Sequence, residues 1–264
     1  MSAIYLLVRA DDIGMAHNAN EACMHTFREG IARSVELMAP CAWFMEAVRL
    51  LDACPEYDVG VHLTLTSEWE NIKWAPLTAA SSLVTDAGYF CTTLRSRKEG
   101  VKGLLDLDWD ITEVEAELRA QIERVLVHVP HASHLSGHMG LMRVDERIGV
   151  VCSKLEEEYG LGVDMEGFER FAGFGSRSQS LVPEQKVELL RENLQRLGWG
   201  RWLFIEHPAF QCAEARALGH AGYDNVAVDR EGVVRAWTDK RVQEIIRERN
   251  IKLVSYADVK KGLV

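Results

Sequence analysis

The sequence lacks the marks of several protein classes. It contains no apolar run of 18 residues, and its first residues do not form the basic and apolar segments of a secretion signal. Its six cysteines include no C-x-x-C pair and no regular spacing, so neither a structural zinc module nor a disulfide scaffold is expected. We therefore expect a soluble, cytoplasmic protein with reduced thiols and no membrane partner.

Positive charge is also scarce. The chain has 264 residues, with 30 lysines and arginines against 40 aspartates and glutamates, which gives a formal net charge of −10. Such a charge repels polyanions, so nucleic acid is not an expected partner. Hydrophobic residues make up 47% of the chain, which suits one large α/β domain with a sizeable core.

Apolar strand candidates alternate with helical patterns along the chain. The candidate strands are residues 4–9, 34–39, 59–65, 132–136, 160–163, 202–206 and 252–255. This order predicts a single-domain (β/α) barrel-like fold over residues 1–264, with parallel strands, closed or nearly closed. We expect its active site at the carboxyl ends of the strands.

Three stretches interrupt the alternation. Residues 67–110 are rich in tryptophan, proline and glycine, and we expect a long loop insertion there that forms a lid or a wall of the site. Residues 167–182 and 211–238 also have the composition of loops.

Side chains suited to metal binding gather where the predicted strands end. Asp11 and Asp12 follow the first candidate strand, and His62 lies in the third. His138 stands two positions after the candidate strand 132–136. Two imidazoles and one carboxylate suit Zn²⁺, or a harder ion such as Mg²⁺ if water fills the other positions. We assign Asp12, His62 and His138 to the metal and Asp11 to general base.

His207 is the candidate general acid, because imidazole changes charge near neutral pH and because this residue follows the strand 202–206. Each signal has a structural alternative. An Asp-Asp pair after a strand is commonly a turn or a helix cap, and a lone histidine in a strand is commonly a core residue. Their combination at several strand ends favours the functional interpretation.

At these residues the chain resembles the YdjC-like carbohydrate deacetylase family, over nearly its whole length. Four segments carry the resemblance, and they match the family's N-A-D-D-F-G, G-x-H-x-x-L-T, P-T-H-x-D-S-H and C-H-P elements in that order: Arg9–Gly14, Gly60–Thr66, Pro130–His138 and Glu206–Phe210. No single segment is decisive, but four in order are quite specific.

The resemblance implies a barrel-like fold and a metal-dependent hydrolase that removes an N-acetyl group from a small amino sugar or oligosaccharide. It also implies one divalent metal ion, Mg²⁺ or Zn²⁺, at Asp12, His62 and His138, with Asp11 as the catalytic base. These assignments agree with those made from the chemistry of the residues. The candidates for substrate binding are Arg9, Thr64, Trp69, Trp74 and His134.

Four positions depart from the family pattern: Arg9 stands in place of asparagine, Ser136 in place of aspartate, Gly137 in place of serine, and Gly140 in place of histidine. Loss of the aspartate removes an acceptor for a ligand imidazole. Two other functions therefore stay open, namely a metal-dependent hydrolase of another amide or ester, and a catalytically weak sugar-binding protein. The long loops are compatible with a homodimer, which no residue pattern establishes.

Overall fold

Seven parallel strands form one sheet in the computed structural model, which describes residues 3–96, 99–175 and 178–264. Apolar residues are common in the strands because helices cover the outer face of such a sheet. The strands are β1 (Ile4–Ile13), β2 (Ser34–Leu37), β3 (Asp58–Leu63), β4 (His134–Gly137), β5 (Phe168–Arg170), β6 (Gly200–Glu206) and β7 (Ile251–Val254).

The strand order is β4-β3-β2-β1-β6-β5, and β7 pairs with the first half of β1. The sheet curls into a half-barrel, which confirms the predicted barrel-like fold. Within the described residues β4 and β5 do not pair, so the barrel is open between them. Because β6 pairs directly with β1, the end of β6 lies beside Ala10, next to Asp11.

Nine α-helices occur in the described ranges. They are α1 (His17–Arg28), α2 (Phe44–Asp52), α3 (Ile111–His128), α4 (Glu146–Glu158), α5 (Pro183–Arg196), α6 (Ala213–Ala217), α7 (Val226–Thr238), α8 (Lys240–Glu248) and α9 (Tyr256–Lys260). Aspartates cap three of them at the N-terminus, where a side-chain oxygen accepts an otherwise unpaired backbone N–H: Asp110, Asp145 and Asp239. No helix in the described part of the chain combines the length and apolar character needed to cross a membrane.

One strand prediction and two loop predictions are wrong. The strand expected at residues 160–163 is absent from this described segment, and β5 lies instead inside the predicted loop 167–182. Residues 211–238 contain α6 and α7. A three-residue strand is too short to show a periodicity. Helix α7 is buried on several sides and includes the buried pair Asp229 and Arg230, so it lacks the polar face that reveals a surface helix.

The segment between β3 and α3 contains two short 3₁₀ helices in its described part, Ser81–Leu83 and Leu104–Asp106. Helix α3 holds this segment through the side chain of Glu117. The buried carboxylate of Glu117 accepts hydrogen bonds from the backbone N–H groups of Leu77 and Thr78. A buried, ionisable anchor of this kind orders a stretch that has little regular structure of its own.

Candidate metal and acid–base site

The end of β1 turns two adjacent carboxylates toward one histidine. In a regular strand, neighbouring side chains point to opposite faces of the sheet. Here the pairing register shifts between Ala10 and Ile13, and Asp12 has a φ of 74°, in the left-handed region that aspartate tolerates better than most residues. As a result Asp11 Oδ2 and Asp12 Oδ1 lie 3.8 and 3.6 Å from His62 Nε2.

Strands β1, β3 and β4 bring the three predicted metal ligands together. One candidate ligand atom each from Asp12, His62 and His138 lies within 4.8 Å of the other two. Asp12 Oδ1 is 3.6 Å from His62 Nε2 and 3.3 Å from His138 Nδ1. In a tetrahedral site with bonds of about 2.1 Å, neighbouring ligand atoms lie about 3.4 Å apart. The spacing therefore fits a divalent ion.

The unpaired atoms of these residues point to the same conclusion. Asp12 Oδ1, His62 Nε2 and both ring nitrogens of His138 are buried and have no hydrogen-bond partner among the described residues. Buried polar atoms without a partner are rare and costly in folded proteins. Their convergence on one point suits a cation, which would satisfy several of them at once.

The ionisation states suit the same role. Burial lowers the pKa of His62 to about 4, so the ring is neutral near neutral pH and keeps a lone pair for a metal. Burial alone would raise the pKa of Asp12, but the positive charges of His207 and Arg230 hold it well below its usual range. Asp12 is therefore an anion at neutral pH.

Two residues that the sequence did not reveal lie beside the candidate ligands. Arg230 of α7 donates from Nη1 to Asp12 Oδ2 at 2.9 Å, which leaves Oδ1 free. Glu68 Oε2 lies 3.7 Å from His138 Nε2, and Glu68 Oε1 lies 3.6 Å from Arg230 Nη2. Arg230 stands 218 positions from Asp12 in a segment predicted as loop, so only the fold could bring them together.

Asp11 is held beside the candidate ligands by Arg9. The guanidinium donates two parallel hydrogen bonds to the carboxylate, at 2.7 and 2.8 Å. Such a bidentate pair fixes the orientation of the carboxylate. Asp11 Oδ2 also lies 3.9 Å from His207 Nε2. The candidate base and the candidate acid are thus neighbours.

His207 is the most accessible member of the site, with 40% of its side chain exposed. It follows the last residue of β6 and lies at the rim of a cavity of about 280 Å³. The wall of this cavity includes Arg170, Phe171, Glu206, His207, Tyr223 and Arg230. Small-molecule sites usually occupy about 300–1,000 Å³, so this cavity suits a small ligand.

The two tryptophans proposed as substrate-binding residues lie in the core. Trp69 is fully buried and donates from Nε1 to the sulfur of Met15, while Trp74 is 4% exposed and donates to the carbonyl of Thr66. Neither indole lines the cavity beside His207. In this structure they lack the exposed ring face that stacking on a sugar requires.

The other proposed substrate-binding residues also face protein groups. Thr64 is buried and its hydroxyl donates to the carbonyl of His62. His134 is buried beneath the site, with Nε2 2.7 Å from Glu36 Oε1. Arg9 is occupied by Asp11, so its clearest role is to orient that carboxylate.

Comparison with known proteins gives one consistent family. The profile of the YdjC-like proteins matches residues 5–248. A carbohydrate deacetylase of Listeria monocytogenes is 31% identical over 263 residues, which cover 96% of this chain and 99% of that protein. One from Thermoanaerobacter pseudethanolicus is 25% identical over 267 residues, which cover 97% of this chain and 99% of that protein.

Solved structures with the same fold are more distant in sequence. A candidate cellobiose-phosphate cleavage protein from Enterococcus faecalis V583 superposes with a TM-score of 0.76 at 22% identity, covering 98% of this chain and all of that one. A family 4 carbohydrate esterase from Streptomyces lividans, in complex with acetate, gives 0.50 at 11% identity and covers 98% and 97%. The structures support the fold, and the profile and the sequence relatives show that this chain belongs to the YdjC-like family.

Proposed function

We propose that this protein is a metal-dependent carbohydrate deacetylase that removes the acetyl group from a small N-acetylated amino sugar. The observation that carries the proposal is the convergence of unpaired atoms of Asp12, His62 and His138 beside the Asp11–His207 pair. The name of the Listeria and Thermoanaerobacter relatives supports the substrate class.

Asp12, His62 and His138 would hold the ion. When bound, a divalent ion polarises the amide carbonyl and promotes ionisation of the attacking water. Two imidazoles favour Zn²⁺, whereas Mg²⁺ prefers a site built from oxygen atoms. We therefore propose Zn²⁺ as the ion that this set of ligand atoms favours over Mg²⁺.

Asp11 acts as the general base in this proposal. Its carboxylate stands 3.8 Å from His62 Nε2, so it reaches the point at which the candidate ligand atoms converge. Arg9 holds it in one orientation, and a carboxylate can accept a proton from water. Attack then forms a tetrahedral carbon at the acetyl group.

His207 acts as the general acid. An amine anion is a very poor leaving group, so the C–N bond breaks only when the nitrogen receives a proton. His207 Nε2 lies 3.9 Å from Asp11 Oδ2, and His207 lines the cavity, where the sugar amine would leave. The volume of about 280 Å³ favours one or a few sugar units.

Acetate release tests the proposal directly. The full-length protein is stripped of metal, and then N-acetylglucosamine and its short oligomers are added with and without Zn²⁺ or Mg²⁺. We expect acetate release that depends on the ion, and its loss in Asp11→Asn and His62→Ala, which serve as matched inactive controls.

The same assay separates the alternatives. Metal-dependent cleavage of acetyl esters or of other amides, without release from amino sugars, would indicate another hydrolase. Saccharide binding in calorimetry, without acetate release under any metal condition, would indicate a binding protein. Either result would overturn the deacetylase proposal.

A further inference from the structure

We propose that Glu36 is a positioning residue for the metal ligand His62, and that it acts through the hydroxyl of Ser136. The hydrogen-bond chain runs from His62 Nδ1 to Ser136 Oγ at 2.7 Å and then from Ser136 to Glu36 Oε2. The inference rests on the proposed function, because it assumes that His62 binds the metal through Nε2.

The order of donors in this chain follows from counting protons. Ser136 has one hydroxyl proton and contacts two groups, the imidazole of His62 and the carboxylate of Glu36. An ionised carboxylate can only accept, so the serine proton goes to Glu36. Ser136 Oγ must then accept from His62, and this places the imidazole proton on Nδ1. Nε2 is left with the free lone pair that faces Asp12.

The carboxylate of Glu36 is held firmly for this task. Glu36 is fully buried in β2, His134 Nε2 lies 2.7 Å from its Oε1, and Arg9 Nε lies 3.7 Å from the same oxygen. Gly60, its neighbour on β3, makes the arrangement possible. A Cβ at position 60 would come within 2.4 Å of both Glu36 Oε2 and His134 Nε2.

In this chain the negative charge that supports His62 comes from a different position than in the family pattern. The pattern has an aspartate at position 136, and β4 pairs Ser136 directly with His62 of β3. An aspartate there would reach the imidazole without a relay. In this protein the hydroxyl of Ser136 keeps the contact, and the negative charge comes from the next strand, β2. The departure at position 136 is therefore compensated by Glu36.

The relay should affect how tightly the protein binds its metal ion. A group that accepts the remote N–H of a ligand histidine fixes its tautomer and makes it a better ligand, and losing such a group typically weakens metal binding by about 10–100-fold. Glu36 and Ser136 form one path to His62. Replacing either residue should therefore weaken metal binding to a similar extent, and replacing both should weaken it little more than replacing one.

The test measures Zn²⁺ affinity by competition with a chelator, on metal-free full-length protein near neutral pH. The proteins are wild type, Ser136→Ala, Glu36→Gln and the double variant, with the fold checked by circular dichroism. We expect each single variant to bind Zn²⁺ about 10–100-fold more weakly and the double variant to match the weaker single one. If Glu36→Gln does not fold, Ser136→Ala and the rescue below decide the matter.

The rescue moves the charge to position 136. Glu36→Ser combined with Ser136→Asp should restore the affinity to within a few-fold of wild type, whereas Ser136→Asp alone should not, because it sets two carboxylates side by side. Ser34→Ala is the matched control. This serine of β2 is fully buried, and its hydroxyl donates to Asp58 and not to a member of the relay. Its affinity should stay at the wild-type value.

The outcomes separate this inference from the proposed function. If wild type itself binds no Zn²⁺ or Mg²⁺, the metal site of the proposed function is wrong. If wild type binds Zn²⁺ but Ser136→Ala binds it equally well, the relay is wrong and the metal site stands. If the fold-losses of Zn²⁺ affinity in the two single variants multiply in the double variant, the two residues act separately. That result would also overturn the relay.

Discussion

Two buried polar clusters lie one above the other on the inner face of the half-barrel, and they differ in how their atoms are paired. The lower cluster consists of Ser34, Asp58, Ser133, His134 and Glu36. The upper cluster consists of Asp11, Asp12, His62, His138 and His207. Apart from His207, the members of both clusters are buried. Within the described residues, four unpaired buried atoms belong to Asp12, His62 and His138 of the upper cluster, and none belongs to the lower cluster.

Asp58 shows how complete the pairing is in the lower cluster. One oxygen accepts from Ser133 at 2.6 Å, and the other accepts from Ser34 at 2.6 Å and from the backbone N–H of Tyr256 at 3.0 Å. These bonds tie β2, β3 and β4 to the start of α9. A fully bonded polar network of this kind gives order and stability.

The comparison teaches that burial of polar groups does not by itself mark a functional site. What marks the upper cluster is a set of buried atoms that the protein leaves without partners and aims at one point. Such a site costs stability in the absence of a ligand, a common feature of active sites. Changes in the upper cluster should therefore affect chemistry. Changes in the lower cluster should affect folding, with the exception of Glu36, which reaches His62 through Ser136.

The largest effect is expected from His62→Ala. The variant loses one of three ligands, so it should lose its metal and at least about 10³-fold in the rate of acetate release, since the ion supplies several kcal/mol to the reaction. Metal content measured by mass spectrometry, with a thermal melt as the check on folding, tests this. Wild-type metal content in the variant would show that His62 is not a ligand.

Asp11→Asn should come next. The amide keeps the shape of the side chain and one acceptor for Arg9, but it cannot take a proton. We expect normal metal content and a loss of roughly 10²–10⁴-fold in kcat. Steady-state kinetics on an N-acetylated sugar measures it, and turnover near the wild-type value would remove Asp11 from the role of base.

His207→Ala should lose about 10²-fold on the amide substrate, at the lower end of the range for acid–base catalysis. An ester with an activated leaving group needs little protonation and should be spared most of this loss. Kinetics on both substrates decide the role. Equal losses on amide and ester, together with a lower melting temperature, would indicate a structural role instead.

Asp58→Asn tests the lower cluster and should reverse the pattern. The variant replaces an acceptor of several hydrogen bonds with an amide that both donates and accepts. We expect the free energy of unfolding to fall by about 1.5–3 kcal/mol, the usual range for hydrogen bonds to a charged group. Below the melting temperature, kcat should stay within a few-fold of wild type. A large loss of kcat with unchanged stability would join the two clusters into one functional unit.

The last prediction concerns Glu36 at acidic pH. Burial would raise the pKa of Glu36, but His134 and Arg9 lower it to about 2 from an ordinary value of 4.5. A carboxyl group whose pKa is lower in the folded state stabilises the fold above its unfolded pKa and loses that contribution as the pH falls. The gap in unfolding free energy between wild type and Glu36→Gln should therefore shrink between about pH 4.5 and pH 2. Denaturant titrations of metal-free protein measure it, and a constant gap would contradict the prediction.

Much of the fold was visible in the sequence. Strands β1, β2, β3, β4, β6 and β7 fall where the apolar runs lie, because a strand covered on both faces must be apolar along its length. The alternation of strands and helices predicted a parallel sheet, and a parallel sheet predicted an active site at the carboxyl ends of its strands. The strand β5 and the helix α7 were missed, the first because it has three residues and the second because burial on several sides removes its amphipathic pattern.

The sequence by itself determined which residue types could do the chemistry, since the order of strands is enough to carry Asp11, Asp12, His62, His138 and His207 to one edge of the sheet. Only the tertiary structure decided their partners. Arg230 and Glu36 reach the site from a helix and a strand with no motif of their own, and the left-handed turn at Asp12 cannot be read from an Asp-Asp pair. The burial of Trp69 and Trp74 in the core was likewise decided only by the tertiary structure. Periodicity reports which face a residue shares with its neighbours along the chain, whereas hydrogen bonds between distant residues exist only after the chain has folded.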